Sequence, residues 1–300
     1  MSSEFRSGYV ALAGRPNVGK STLLNSLTGQ KVSITSRKPQ TTRHRVLGIR
    51  SVTDSQIIFV DTPGLHDSGS NALNRIINKT AQHSLVDVDV IVQLCSAPRW
   101  ADEDEWVLTK LKQFSLPLIL AINKIDRLDD KQTLLPFIQH INNKGVFLEI
   151  VPISALKGTN TDELIKTITG KVTAGPALFP QDQITDQTQK TLAGELIREQ
   201  LFRRLSQELP YATAVVIDEF KVDQNNLLRI EALIWVEKPG QKGIVIGHNG
   251  KTLKTIGEQA RKQMEYLFDA RVYLNLHVKV KQGWANNLTA LQNLGYSDQV

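Results

Sequence analysis

A single cysteine, Cys95, stands among 300 residues. The chain therefore cannot close an internal disulfide or build a cysteine-rich zinc site, and a reducing compartment is expected. Six histidines (His44, His66, His83, His140, His248, His277) fall at no metal-ligand spacing. Nowhere do apolar residues run for the roughly 20 positions a membrane span needs. The start, MSSEFRSGYVALAG, carries an acid and lacks the long apolar region of a signal peptide. Neither sign of charge dominates: 36 Lys and Arg against 30 Asp and Glu leave +6, an excess that leans towards phosphate-bearing partners without naming one. Hydrophobic residues at 41% and charged residues at 22% are ordinary globular values and exclude disorder and fibrous repeats. No internal repeat or low-complexity tract interrupts the chain. Its length exceeds the usual 100–200 residues or so of one domain, so two domains in a soluble, cytoplasmic protein are expected.

What is present has a clear order. Short apolar runs at Tyr9–Ala13, Gln56–Val60, Val88–Leu94, Leu118–Ile122 and Val146–Val151 predict strands. Amphipathic stretches at Lys20–Leu27, Asn71–Ser84, Asp102–Phe114, Leu134–Asn142 and Thr161–Ile168 predict helices between them. Runs apolar throughout suit strands buried on both faces, and the alternation predicts an α/β fold with a mainly parallel sheet. Val46–Val52 alternates more and predicts an antiparallel edge hairpin with Gln56–Val60. From Gly170 to about Lys190 the periodicity is lost among prolines and glycines, as at a domain boundary. A helix at Thr191–Glu208, strands at Ala214–Val222 and Leu227–Val236, a long helix ending near Phe268 and a strand at Ala270–Val280 follow, an α+β pattern. Residues 238–284 hold nine basic side chains against three acidic ones, whereas 181–237 hold six against ten. The basicity is local, as a binding face requires.

Gly14-Arg15-Pro16-Asn17-Val18-Gly19-Lys20-Ser21, followed by Thr22, fits the phosphate-binding pattern G-x-x-x-x-G-K-[ST] between a strand and a helix. Such a loop turns backbone N–H groups and a helix N-terminus towards a β-phosphate. Lys20 is expected to bridge the β- and γ-phosphates, and Ser21 to offer its hydroxyl to Mg²⁺. A chance glycine turn is the bland alternative, and three later elements count against it. Asp61-Thr62-Pro63-Gly64 ends a strand, where Asp61 can hold magnesium through water and the Gly64 N–H can meet a γ-phosphate. Asn123-Lys124-Ile125-Asp126 ends another, and the Asp126 carboxylate suits guanine N1–H and its 2-amino group. Adenine would leave that carboxylate, expected to be buried, unsatisfied. Ser154-Ala155-Leu156-Lys157-Gly158 can bring a backbone N–H to guanine O6. All four motifs fall at strand C-termini, where open α/β sheets bind ligands.

Ile244-Val245-Ile246-Gly247-His248-Asn249-Gly250-Lys251 contains G-x-x-G ahead of a helix within the basic stretch. Alone the pattern is weak, and a helix–turn–helix with a solvated basic face would also explain it. Ile244, Val245, Ile246, Leu253 and Ile256 are candidates for an apolar groove wall, or for plain core. Cys95 reads as an inert core thiol, Asp102-Glu103-Asp104-Glu105 as an acidic first helical turn without catalytic meaning, and Trp284 as a packing residue, with stacking on RNA the alternative.

On these motifs the chain resembles the TRAFAC-class GTPases, and among them the Era-like family, P-loop GTPases with a C-terminal type II KH domain. Pro39-Gln40-Thr41-Thr42-Arg43-His44-Arg45 and Asp61-Thr62-Pro63-Gly64-Leu65-His66 carry that resemblance with the phosphate loop. It covers essentially the whole chain. The implied domains are a GTPase domain at 1–172, a linker at 173–190 and a KH domain with its tail at 191–300. The resemblance implies that 31–45 is switch I, with Thr42 completing the magnesium shell and Thr41 its competitor. Leu65 stands where Ras-like enzymes place a water-orienting glutamine, so slow intrinsic turnover is expected, with catalytic weight on Lys20, Thr42, Gly64 and Asn17. Asn17 is similar to an asparagine that coordinates potassium in related GTPases; a loop-stabilising amide is the equal alternative.

In the KH segment the resemblance implies RNA contact through Gly247, His248, Asn249, Gly250, Lys251 and Lys254, with the loop clamping about four nucleotides. The implied RNA is the 3′ end of 16S rRNA, and the implied role a GTP-controlled checkpoint in maturation of the 30S subunit. A monomer is expected, with peripheral inner-membrane association implied by family alone. Two rivals stay open: a tRNA-modification GTPase, and an RNA scaffold in which GTP is a structural ligand. A double-G-domain factor is excluded, since one phosphate loop exists.

Overall fold

A computed structural model of the chain describes residues 4–64 and 71–296. The described residues form two units, one of 4–35, 42–64 and 77–186, the other of 36–41, 71–76 and 187–296.

In the first unit all but the last of the apolar runs become strands that neither face exposes. β1 (Arg6–Ala13), β3 (Ser55–Asp61), β4 (Val90–Ser96), β5 (Leu118–Asn123) and β6 (Glu149–Pro152) run parallel, and β2 (Val46–Val52) pairs antiparallel with β3, in the order β2-β3-β1-β4-β5-β6. Alternate residues of each strand serve opposite faces. Val10, Leu12 and Phe59 pack with Leu23, Leu24 and Leu27 of α1 (Lys20–Thr28) and with Leu164 and Ile168 of α5 (Thr161–Thr169). Ala11, Ile58 and Val60 pack on the other side with Ala81 of α2 (Ala72–His83) and with Val107, Leu108 and Leu111 of α3 (Asp102–Leu111). Ile141 of α4 (Leu134–Asn142) packs with Leu120 and Ile122. Each fully buried Leu or Ile contributes about 1.5–3 kcal/mol, so these two faces hold the frame on which the loops stand. Register does the positioning. Leu12 lies opposite Asp61, and Ser96 opposite Asn123, so the motif-bearing loops leave the sheet at one edge.

The expected linker differs from what is found. Residues 173–186 belong to the first unit, along β2 and β3. Ile49 N–H donates to Ile184 O at 2.7 Å, and Thr185 Oγ1 to Leu47 O at 2.7 Å. Gln56, fully buried in β3, accepts from the Leu178 and Phe179 N–H groups at 2.7 and 2.9 Å and donates to Phe179 O at 2.8 Å. Proline and glycine here shape a strap that pairs with backbone groups, so the stretch reads as a loop yet does not behave as a spacer. The predicted strand at Val146–Val151 also shortens to β6, because Phe147 turns into the core beside Trp100.

The second unit has the order α-β-β-α-α-β: α6 (Gln189–Arg204), β7 (Thr213–Val222), β8 (Leu227–Val236), α7 (Pro239–Ile246), α8 (Lys251–Phe268), β9 (Arg271–Val280), then a short α9 (Leu288–Asn293). β8 pairs antiparallel with β7 and parallel with β9. Leu228, Ile230, Ala232 and Ile234 of β8 point into a core shared with Leu196, Ile197 and Leu201 of α6 and Ile256, Ala260 and Met264 of α8. Trp284 is fully buried and packs, as the sequence suggests.

Candidate functional site

The turn from β1 to α1 carries the phosphate loop. Gly19 has φ +106, and a Cβ there would lie 2.4 Å from Asn123 Nδ2, so both conformation and space demand glycine. Lys20 is buried, its Nζ donating to Gly14 O at 2.9 Å and Arg15 O at 3.2 Å. Burial pulls its ammonium down to about 8; Asp61 opposes that fall and Arg15 adds to it. These two carbonyls hold the amine where phosphate oxygens would replace them. Gly64 adjoins the same point, since a Cβ built on it would stand 3.3 Å from Lys20 Nζ.

A second cluster lies one turn away. Ser21 Oγ donates to Asp61 Oδ2 at 2.6 Å and meets Thr42 Oγ1 at 2.9 Å, and Ser33 Oγ donates to the same carboxylate oxygen at 3.0 Å. Thr41 Oγ1 turns instead to Ser36 Oγ and Lys38 O. Burial pushes the Asp61 carboxyl above the ordinary range, with Lys20 and the hydroxyls of Ser21, Ser33 and Thr42 working against it. Asp61 Oδ1 is buried without a protein partner. An orphaned carboxylate oxygen costs stability unless something meets it. A hard divalent ion held by one carboxylate, hydroxyls and phosphate oxygens fits this donor set. Among the described residues no cluster of three or more His, Cys, Asp or Glu offers another metal site.

Asn123 ties the remaining loops together. Its Nδ2 donates to Val18 O at 2.8 Å, while Oδ1 accepts from Lys124 N at 2.7 Å and Ala155 N at 3.0 Å. Lys124 Nζ reaches Asn17 O at 2.5 Å, and Asn17 itself has φ +65. Ser154 Oγ donates to Asp126 Oδ1 at 2.6 Å. Asp126 is exposed, contrary to the burial expected for it. A base recognised there would desolvate the carboxylate only on covering it, and Leu156, 68% exposed, stands in the 154–156 loop that would form part of the cover. Leu65 and His66 lie outside the described residues.

Some participants carry no motif. Asn25 of α1 holds the following loop by accepting from Val32 N and Ser33 N, each at 2.9 Å. An asparagine in mid-helix is the signal that points to such a role. Asp104, grouped above with a merely acidic turn, is fully buried; it accepts from Arg15 Nε at 3.0 Å and from Ala101 N at 3.0 Å. It caps α3 and steadies the phosphate loop at once. Cys95 is buried, and burial pushes its thiol far up, as befits a core residue.

In the second unit the G-x-x-G turn joins α7 to α8. Gly247 has φ +74, and a Cβ there would fall 2.2 Å from Thr252 Oγ1. His248, Asn249, Lys251 and Lys254 are exposed. Of the five groove candidates, Val245 and Ile256 are core, Ile246 and Leu253 are half-buried against it, and only Ile244 is exposed, at 60%. Ile244 borders a cavity of about 390 Å³ with Gln241, Thr252 and the 204–209 turn.

Comparison with known proteins agrees with both units. A family model described as a 50S ribosome-binding GTPase matches residues 9–124, and a KH domain model matches 208–285. GTPase Era of Azotobacter vinelandii is 52% identical over 296 residues, 99% of this chain and 98% of its own. GTPase Era of Pseudomonas aeruginosa strain LESB58 is 51% identical over 293 residues, 98% and 96%. A tyrosine-to-alanine variant of Aquifex aeolicus Era bound to GDP and aluminium fluoride superposes with a TM-score of 0.94 at 42% identity, covering 98% of this chain and 100% of that one. Era in complex with MgGDPNP and nucleotides 1506–1542 of 16S ribosomal RNA gives the same TM-score and identity, covering 98% and 99%. Identity at this level, sustained through both units, goes beyond a shared fold: the chain belongs to the Era family of GTPases, enzymes that hydrolyse GTP.

Proposed function

We propose that this GTPase reads the single-stranded 3′ end of 16S rRNA with its KH unit and acts as a GTP-controlled checkpoint in 30S subunit assembly. The observation that carries the reading is the full-length likeness to an Era bound to MgGDPNP and that stretch of RNA, with the G-x-x-G turn exposed in this chain. In the first unit Lys20 would span the β- and γ-phosphates and Gly64 N–H would meet the γ-phosphate. Asp126, with the 154–156 loop, would select guanine. Ser21, Thr42 and Asp61 would hold Mg²⁺, which on binding neutralises phosphate charge and gives the unpartnered Asp61 oxygen a neighbour. Loss of the γ-phosphate would then release Thr42 and Gly64. Peripheral membrane association would have to rest on the basic face, since no described helix is long and apolar enough to cross a membrane.

The test is the affinity of an oligomer from the 16S rRNA 3′ end at one stated salt concentration, for protein loaded with a non-hydrolysable GTP analogue and then with GDP. Much tighter binding in the first state supports the checkpoint, and equal affinity removes it. Asn17 adds a finer step, a potassium ion beside the phosphates that stabilises developing charge. Phosphate release should then slow when sodium replaces potassium, and an unchanged rate would leave Asn17 a loop-shaping amide.

A further inference from the structure

We infer that the solvent face of α8 is a second stretch of RNA surface, a row of lysines that leads from the G-x-x-G turn to a tyrosine on which an unpaired base stacks. The inference rests on the RNA-binding reading above. Ile256, Ala260 and Met264, four residues apart, are fully buried and face the core. On the opposite side, at the same helical spacing, Lys251, Lys254, Glu258, Lys262 and Tyr266 are exposed. Tyr266 is 86% exposed, a large aromatic left in water where a smaller polar residue would serve the fold as well. No described acid pairs with Lys251, Lys254 or Lys262. Glu265 is engaged by Arg261 and by Val272 N–H, and Asp269 lies past the helix end. Glu258 is the one acid on the row, so three cations face one anion.

Dimensions and chemistry favour a single strand. Fifteen residues separate Lys251 from Tyr266, about 22 Å of helix at 1.5 Å per residue. A stacked strand covers that with roughly six nucleotides at about 3.4 Å each. Lysines spaced along a backbone with an aromatic platform form the pattern that binds single strands without reading sequence. The row starts at the turn expected to clamp about four nucleotides, so one RNA can occupy both.

Fluorescence anisotropy decides it, with the full chain carrying a GTP analogue and two oligomers of nested sequence, about five and about twelve nucleotides long. Wild type should bind the longer one at least tenfold more tightly. Tyr266→Ala should lose about tenfold on the long oligomer only, while Tyr266→Phe keeps the gain. Lys262→Ala should reduce the salt slope on the long oligomer by about 0.7. No length gain in wild type overturns the inference and leaves this face to a partner of another class. So does a Tyr266→Ala loss equal at both lengths, or the same gain with duplex RNA. Failure of wild type to bind either oligomer overturns the RNA reading itself, and this inference with it.

Discussion

At the scale of single residues, the nucleotide site is a set of groups held in costly states. Lys20 is the plainest. Its ordinary value is 10.5, and burial brings it to about 8 in the nucleotide-free fold. Because the folded value is depressed, the unfolded chain binds more protons than the native one between about pH 8 and 10.5, and stability must rise with pH across that window. The full difference is of order 3 kcal/mol. Urea unfolding at pH 7.5 and 9.5 should therefore show wild type gaining on Lys20→Met, which has nothing to titrate. Parallel behaviour would mean that the amine is solvated. Phosphates bound at the loop would restore the charge, so nucleotide also removes the pH dependence. Asp61 carries the converse strain, a carboxylate kept from water with one oxygen unmet. The two groups together describe a site whose cost is relieved by a polyanion and a cation arriving in company.

At the scale of elements, the sequence was most legible where one signal had one physical meaning. Unbroken apolar runs could only be strands covered on both faces, and β1, β3, β4 and β5 are that. The four motifs lie at strand ends, where the chain leaves the sheet and its backbone N–H groups are released from the ladder. Illegible parts had signals that competed. α7 reads PGQKGIVI, two glycines and β-branched residues that argue against a helix. Its start is fixed by Pro239 and by the Gln241 amide accepting from the N–H groups of Glu237 and Lys238. Asp104 looked like one of four equivalent acids, since nothing in the spacing says which turns inward to Arg15. The 173–186 strap had the composition of a linker. Its one clue was Gln56, a polar residue in an otherwise apolar strand that must find partners once buried. Asp126 differs in the other direction: burial was expected and it is exposed, because its exposure depends on loops whose geometry no spacing encodes.

At the scale of the molecule, the strap decides where the GTPase domain ends. β2 is an outer strand of its sheet, and an open edge invites pairing with other chains. Ile184 O, Leu47 O and the Asp186 carboxylate close that edge through Ile49 N–H, Thr185 Oγ1 and Leu47 N–H. A boundary drawn at 172 would cut away every one of these bonds and orphan the buried Gln56 Oε1, which accepts only from Leu178 and Phe179, while Nε2 would keep Ser51 Oγ. Each buried polar group left unmet costs about 1–3 kcal/mol, and a domain has only about 5–15 kcal/mol to lose. A fragment of residues 1–186 should consequently unfold at a distinctly higher temperature than one of 1–172, stay monomeric in sedimentation, and retain GDP binding. The shorter fragment should associate through its open strand, although every nucleotide motif is present in it. Equal melting temperatures and equal solubility would show that the edge protects itself, and the domain would then end where the helical periodicity stops. A large difference would mean that fourteen residues outside any helix or strand are as much a part of the nucleotide-binding fold as the strand they cover.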